Sequence, residues 1–191
     1  MDIRSFLAFE LSPEIKQIIF NVSGEMKRSS LDVRWVKPGN IHLTIVFLGN
    51  IPEERMEVVN IAAEKVCRRY GPFNVSLTAA GIFFNRHNPR TLWIGLKGDL
   101  ERMSYFKNAL QKHLRSLGIK EEKRKFKPHL TLGRFRRGAG FTPRLDELLS
   151  MYQDLISPVC SLSELALFKS DLKSGGAVYS RLGSWQLEGG F

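Results

Sequence analysis

Two copies of a histidine-threonine motif are the part of this sequence best suited to acid–base chemistry. The copies are His42-Leu43-Thr44-Ile45 and His129-Leu130-Thr131-Leu132, each with a Lys-Pro pair shortly before it. In a strand, side chains at i and i+2 share a face, so each copy places an imidazole beside a hydroxyl. Histidine titrates near neutral pH, so one member of the pair can act as base while the other acts as acid. Placed on opposite sides of a phosphorus atom, two such groups can drive an in-line displacement without a metal.

Four further residues complete the predicted site. The hydroxyls of Thr44 and Thr131 are expected to bind non-bridging phosphate oxygens, where negative charge accumulates. Arg134 would face away from His129 on an uninterrupted strand, and we expect a twist or bulge near Gly133 to turn it towards the phosphate. Phe47, near the end of the first motif strand, is the aromatic residue best placed to stack on a base.

The alternative is that each histidine is an ordinary strand residue with a satisfied hydrogen bond. That interpretation would suffice for one His-x-Thr tripeptide, but two copies with similar flanks favour catalysis. The remaining histidines, His87 and His113, lack such a context and are expected at the surface. Trp35, Phe47 and Phe84 could each stack on a base, but with 13 phenylalanines to bury the core is the expected place for each, and Phe47 has the best case for stacking.

The composition indicates a globular protein with an anionic partner. The chain has 191 residues, of which 43% are hydrophobic and 25% charged, as in ordinary soluble proteins. A net charge of +10 favours nucleic acid first and an anionic membrane second, although basicity alone does not require either. The basic residues around the second motif fit an RNA backbone track; they are Lys123, Arg124, Lys125, Lys127, Arg136 and Arg137.

The sequence predicts a cytoplasmic, monomeric protein without a membrane segment. The opening residues do not resemble a signal peptide, and no apolar run approaches the roughly 20 residues of a membrane helix. Cys67 and Cys160 form no paired motif, which favours a reducing compartment and argues against a zinc site or a disulfide framework.

The order of predicted elements favours an α+β fold with antiparallel sheets. Helices are expected to start at Ser12-Pro13, at Pro52 and at Asp99, with a short one over 143–151. Strands are expected over 5–10, 33–36, 41–48, 73–82, 91–96, the second motif, and a hairpin of 161–169 with 177–187. No linker or composition break divides the chain, so residues 1–191 are expected to form one two-lobed domain.

These residues resemble the two-histidine (2H) phosphoesterases, in particular the bacterial and archaeal RNA 2′,3′-cyclic phosphodiesterases, also called 2′-5′ RNA ligases. The matching stretches are 4–11 (RSFLAFEL), 35–38 (WVKP), 42–49 (HLTIVFLG), 126–134 (FKPHLTLGR), 167–170 (LFKS) and Tyr179. They span nearly the whole chain, and both motifs occur in the expected order with their flanks.

The resemblance implies a bilobal α+β fold with pseudo-twofold symmetry, two antiparallel sheets with helices outside, and a central cleft that holds both motifs. It implies cofactor-free opening of a 2′,3′-cyclic phosphate to a 2′-phosphomonoester, with reversible 2′-5′ ligation of RNA ends. His42 would be the proton donor and His129 the proton acceptor. The symmetry of the two motifs does not decide that order, so the roles rest on the resemblance.

Three other functions remain open from the residues. The same chemistry could act on a small cyclic nucleotide or on ADP-ribose cyclic phosphate, although the positive charge favours RNA. The protein could be an RNA-binding module without catalysis, although the intact threonines and Arg134 argue against a decayed site. A metal-dependent hydrolase is the weakest alternative, because no Asp or Glu stands at ligand spacing from either histidine.

Overall fold

The computed structural model describes residues 2–84, 88–115, 118–119, 125–174 and 176–190, which contain nine strands and four α-helices. The strands are β1 (Asp2–Phe9), β2 (Val33–Trp35), β3 (Leu43–Pro52), β4 (Phe73–Phe83), β5 (Thr91–Gly98), β6 (His129–Phe135), β7 (Cys160–Leu162), β8 (Glu164–Lys173) and β9 (Gly176–Gln186). The helices are α1 (Pro13–Lys27), α2 (Met56–Cys67), α3 (Leu100–Leu114) and α4 (Pro143–Met151). Short 3₁₀ turns cover Pro38–Asn40 and Glu53–Arg55.

The strands form two antiparallel sheets that repeat one plan. One sheet has the order β3-β1-β8-β9 and the other β2-β6-β5-β4-β7. In each sheet the motif strand pairs with the strand that precedes a helix: β3 with β1 across α1, and β6 with β5 across α3. Apart from β2, which lies outside β6, the two orders correspond strand by strand. The predicted α+β fold with two pseudo-symmetric antiparallel sheets is confirmed.

The core lies on the sheet faces opposite the two motif side chains. Leu43, Ile45, Leu130 and Leu132 are almost completely buried, as their alternation with the motif residues predicts. They belong to one hydrophobic cluster that also includes residues of the helices, so the two sheets share a continuous core.

Helices α1, α3 and α4 start where the sequence predicts, but α3 lacks the side-chain cap that was expected. The hydroxyl oxygens of Ser12 and Thr142 accept hydrogen bonds from the backbone N–H groups three residues ahead, at the starts of α1 and α4. Asp99 was expected to cap α3, but its carboxylate makes no capping bond to the helix. It instead accepts hydrogen bonds from the backbone N–H of Asn74 and the guanidinium of Arg102.

Four predicted boundaries were wrong. The first motif strand was expected over 41–48, but β3 starts at Leu43, because the 3₁₀ turn leaves His42 just ahead of the strand. Gly49 was expected to end that strand; its φ of +75° instead accommodates an irregularity, and pairing continues to Pro52. The expected strand 161–169 is two strands, because the chain changes sheets between β7 and β8. The helix expected from Pro52 begins with a 3₁₀ turn, and α2 starts at Met56.

Both motif strands carry a β-bulge at the same place. In β3, Thr44 lies opposite Ala8 and Phe47 opposite Phe6, with one residue too many between them. Ala8 and Phe6 share a face, so Thr44 and Phe47 share it too.

The second bulge, in β6, has the same effect. Thr131 lies opposite Trp93 and Arg134 opposite Thr91, again with one extra residue. Trp93 and Thr91 share a face, so Arg134 lies on the face of Thr131. The bulge predicted near Gly133 is therefore confirmed.

Gly133 follows the bulge where no side chain fits. A Cβ atom there would lie 2.3 Å from Cγ1 of buried Val33 and 3.0 Å from the carbonyl oxygen of Arg34. We expect Gly133→Ala to lower the free energy of unfolding by about 1–3 kcal/mol, because β2 must move away from β6. Urea denaturation measures this change.

Gly140→Ala is the matched control for that substitution. A Cβ atom at the exposed Gly140 meets nothing within 4 Å, so its stability should stay within about 0.5 kcal/mol of the wild type. Equal stabilities of the two variants would show that Gly133 is not needed for close packing of β2 on β6.

Candidate active site

The two histidines make the same hydrogen bond. Nδ1 of His42 lies 2.7 Å from the carbonyl oxygen of Asn40, and Nδ1 of His129 lies 2.7 Å from that of Lys127. A carbonyl oxygen only accepts, so Nδ1 of each ring carries the proton and donates it. Nε2 of each neutral imidazole is therefore free to accept a proton, and Nε2 of each charged imidazole to donate one.

His42 lies among aromatic rings. Its ring stacks on Phe6 at a centroid distance of 4.6 Å and meets the edge of Tyr179 at 5.2 Å, with Phe168 at 6.1 Å. This burial lowers the pKa of His42 to about 4, despite the opposing hydrogen bond to Asn40. In the absence of a ligand, His42 is therefore neutral at pH 7.

His129 has a less aromatic and more cationic environment. Phe83 contacts it edge to face, with 4.6 Å between ring centroids. Burial lowers the pKa of His129, the hydrogen bond to the Lys127 carbonyl opposes that shift, and the positive charge of Arg134 lowers the pKa further. The cation disfavours an imidazolium at this position, as a general base requires.

The lowered pKa of His42 makes the fold acid-sensitive. Between pH 6.5 and 4 the unfolded chain binds a proton at His42 that the folded chain does not, so stability falls as the pH falls through this window. We expect a loss of about 2 kcal/mol from this group between pH 7 and pH 5. Urea denaturation of wild type and His42→Asn at both pH values measures it. A parallel fall in the two proteins would contradict the assignment.

The bulges give the two halves unlike residues at equivalent positions. Phe47 and Arg134 each stand five residues after the motif histidine and share the face of the motif threonine. Phe47 is 67% exposed and its ring lies 6.2 Å from that of Phe6. One half thus presents an aromatic surface and the other a cation, which suit a base and a phosphate respectively.

The two motif faces approach each other through Tyr179. Its ring contacts His42, and its phenol lies close enough to Arg134 and Arg4 for both cations to oppose the rise in its pKa that burial causes. Arg134 in turn acts on His129, and β3 contacts β6. Tyr179 and Arg134 thus connect the surroundings of His42 in one sheet with those of His129 in the other.

Sequence reasoning missed the residues that hold His42 in place. Phe6, Phe168 and Tyr179 lie in matching stretches but were given no role, because their contacts depend on long-range strand pairing. Asn40 was likewise given no role. Its backbone carbonyl orients His42, and its side-chain amide donates to the carbonyl oxygen of Ala177 in β9, at 2.8 Å.

The prediction for Phe84 was wrong, whereas those for Trp35 and His113 agree with the structure. Phe84 was expected in the core but is 70% exposed, has a φ of 74° and lies beneath the guanidinium of Arg90. Trp35 packs partly buried against the core, as expected. His113 lies partly exposed in α3. His87, Lys123 and Arg124 lie outside the described residues.

The sequence predicted no metal site, no membrane segment and no disulfide. Among the residues that the structure describes, no three His, Cys, Asp or Glu side chains are grouped so as to hold a metal ion. No helix in the described ranges is long and apolar enough to cross a membrane. Cys67 and Cys160 are buried, unpaired thiols in α2 and β7.

The sequence matches the model of a known enzyme family and is similar to enzymes of that kind. The model of the LigT-like phosphoesterases matches residues 9–93 and 96–179, so each match contains one motif. The chain is 28% identical to an RNA 2′,3′-cyclic phosphodiesterase of Methanothermobacter thermautotrophicus, over 98% of this chain and 100% of the relative. It is 30% identical to one of Archaeoglobus fulgidus, over 94% and 97%.

Solved structures share the fold. A crystal structure of a Thermus thermophilus protein superposes with a TM-score of 0.82 at 27% identity, covering 98% of this chain and 99% of that one. The ligand-free crystal structure of Escherichia coli LigT gives 0.75 at 24% identity, covering 97% of each chain. The second likeness is one of fold alone.

Proposed function

The chain belongs to the LigT-like phosphoesterase family, and from this premise we propose that it hydrolyses RNA 2′,3′-cyclic phosphate ends to 2′-phosphomonoesters. The observation that carries the proposal is the matched pair of histidines, both held through Nδ1 and neither bonded through Nε2 to a described residue. Relatives of nearly equal length that are named for this activity support it.

In the proposed mechanism the two histidines have different tasks. Nε2 of His129 takes a proton from water, whose oxygen attacks phosphorus. The bond from phosphorus to the ribose 3′-oxygen breaks, and His42 donates a proton to that oxygen. The 2′-phosphate remains. The hydroxyls of Thr44 and Thr131 and the guanidinium of Arg134 stabilise the non-bridging oxygens, where negative charge accumulates.

The charge of Arg134 favours this order of roles, whereas the low pKa of His42 means that its role as acid depends on the bound substrate. Arg134 disfavours a charged His129 and so maintains the base in its neutral form. The pKa of His42 is lowered mainly by burial, and a bound anionic phosphate opposes that effect because it stabilises the imidazolium. The substrate thereby promotes protonation of its own general acid.

RNA is the proposed substrate, because charge and surface both suit a polyanion with bases. The net charge of +10 attracts a phosphate backbone, and the exposed ring of Phe47 offers a stacking surface beside Thr44. Joining RNA ends through a 2′-5′ linkage is the same ring opening, with an RNA 5′-hydroxyl in place of water as the attacking group. It is proposed as a secondary activity.

Hydrolysis of a synthetic RNA that ends in a 2′,3′-cyclic phosphate tests the proposal. We expect a 2′-phosphomonoester as product and equal rates with and without EDTA. A 3′-phosphate product would contradict the proposed departure of the ribose 3′-oxygen. Loss of activity in EDTA would indicate a metal.

Two comparisons separate the remaining alternatives. A higher kcat/KM for mononucleotides than for RNA ends would indicate a small-molecule phosphodiesterase. Salt-sensitive RNA binding without turnover of any cyclic phosphate would indicate a binding module.

A further inference from the structure

A second arginine lies beside Arg134 on the cleft face. Arg34 in β2 is directly opposite Arg134 in β6, and directly opposed residues of antiparallel strands share a face. Its neighbour Val33 is buried whereas Arg34 is exposed, in agreement with that orientation. Arg134 shares the face of Thr131, so Arg34 extends the same face by one strand.

The two guanidinium groups have no carboxylate partner among the described residues, unlike two other exposed arginines of the chain. Arg136 pairs with Asp32 at 3.3 Å, and Arg181 pairs with Glu10 and Glu164. Like charges on directly opposed strand residues repel and destabilise the pairing. Two such uncompensated cations at the cleft are suited to bind anions.

Among the described strands, β2 has no counterpart in the sheet of β3, so only the sheet of β6 has this extra position. Neighbouring strands lie about 4.8 Å apart, and each long arginine side chain adds its own reach. The two guanidinium groups can therefore hold two successive phosphates of one RNA strand, rather than both holding the reacting one.

We propose that Arg34 binds the phosphodiester on the 5′ side of the terminal nucleotide while Arg134 binds the cyclic phosphate. This assignment rests on the proposed function and deepens it: the preferred substrate is an RNA end of two or more nucleotides. A nucleoside 2′,3′-cyclic phosphate has the reacting group but lacks the phosphate that Arg34 binds.

Arg34→Gln tests the assignment on three substrates that share one terminal base. They are a nucleoside 2′,3′-cyclic phosphate, the same compound with an added 5′-phosphate, and a dinucleotide with a 2′,3′-cyclic end. We expect kcat/KM to fall about 10- to 100-fold on the second and third and to change less than about twofold on the first. The slope of log kcat/KM against log salt should become shallower by about 0.7 on the dinucleotide.

Arg144→Gln is the matched control, because it removes the same charge from an exposed, ion-paired position in α4. It should leave all three substrates unaffected. The melting temperature of Arg34→Gln should equal or exceed that of the wild type, since the repulsion is relieved.

Three results would overturn the assignment: an equal loss on all three substrates, no loss on any, or a lowered melting temperature that accounts for the loss. Wild-type protein that turns over none of them contradicts the proposed function itself, and Arg34 is then not a substrate-binding residue. Turnover by the wild type with no selective loss in Arg34→Gln contradicts only the assignment of Arg34.

Discussion

Replacing either His42 or His129 with alanine is expected to lower kcat on a 2′,3′-cyclic phosphate by about 10²- to 10⁴-fold, the usual contribution of one general acid or base. The double variant should be little slower than the slower single variant, because both groups act in one step. Single-turnover assays measure these rates.

The pH dependence of the residual activity distinguishes the two roles. Loss of the base removes the decline in rate at low pH, so His129→Ala should lack the acidic limb of a bell-shaped profile. Loss of the acid should remove the alkaline limb in His42→Ala. The reverse pattern would exchange the two roles.

Two variants control for effects on folding. His42→Asn keeps a side-chain amide near Asn40 but has no Nε2, so it should be as inactive as His42→Ala. His113→Ala changes a histidine of α3 outside the cleft and should retain wild-type turnover. Full activity of both His42→Ala and His129→Ala would refute paired-histidine catalysis.

Replacing Arg134 with glutamine is expected to lower kcat by about 10²- to 10³-fold, because the variant loses the cation that stabilises the non-bridging oxygens. Arg134→Lys keeps the charge but not the two parallel donors, so it should recover only part of the rate. Arg144→Gln again controls for the change in net charge.

The same substitution should also change the pH profile. The charge of Arg134 lowers the pKa of His129, so Arg134→Gln should raise that pKa and move the acidic limb to higher pH. If Arg134 only binds substrate and does not act on His129, the substitution would raise KM and leave the acidic limb of the pH profile at the wild-type position.

The groups proposed to be catalytic could be selected from the sequence because they repeat. One His-x-Thr segment carries little information, but a second copy with the same flanks identified His42, Thr44, His129 and Thr131 as one set. The buried partners Leu43 and Leu130 followed from strand alternation. Repetition and periodicity are both local in sequence and need no knowledge of tertiary structure.

The surroundings of the histidines were not predictable in the same way. Phe6, Phe168 and Tyr179 meet His42 because β1, β8 and β9 pair in one register, which no local pattern specifies. The position of Arg34 depends likewise on the pairing of β2 with β6. Asp99 was misjudged because tertiary contacts compete with helix capping for the same carboxylate.

The equivalent bulges in β3 and β6 have a consequence for how such a protein could arise by gene duplication. A homodimer of a single half-length chain would carry the same residue at both positions, two aromatics or two cations, and a nucleotide could bind it in either orientation. Once both halves are in one chain, one position can become Phe47 and the other Arg134. Unlike residues at the two positions thus favour a single orientation of a bound nucleotide.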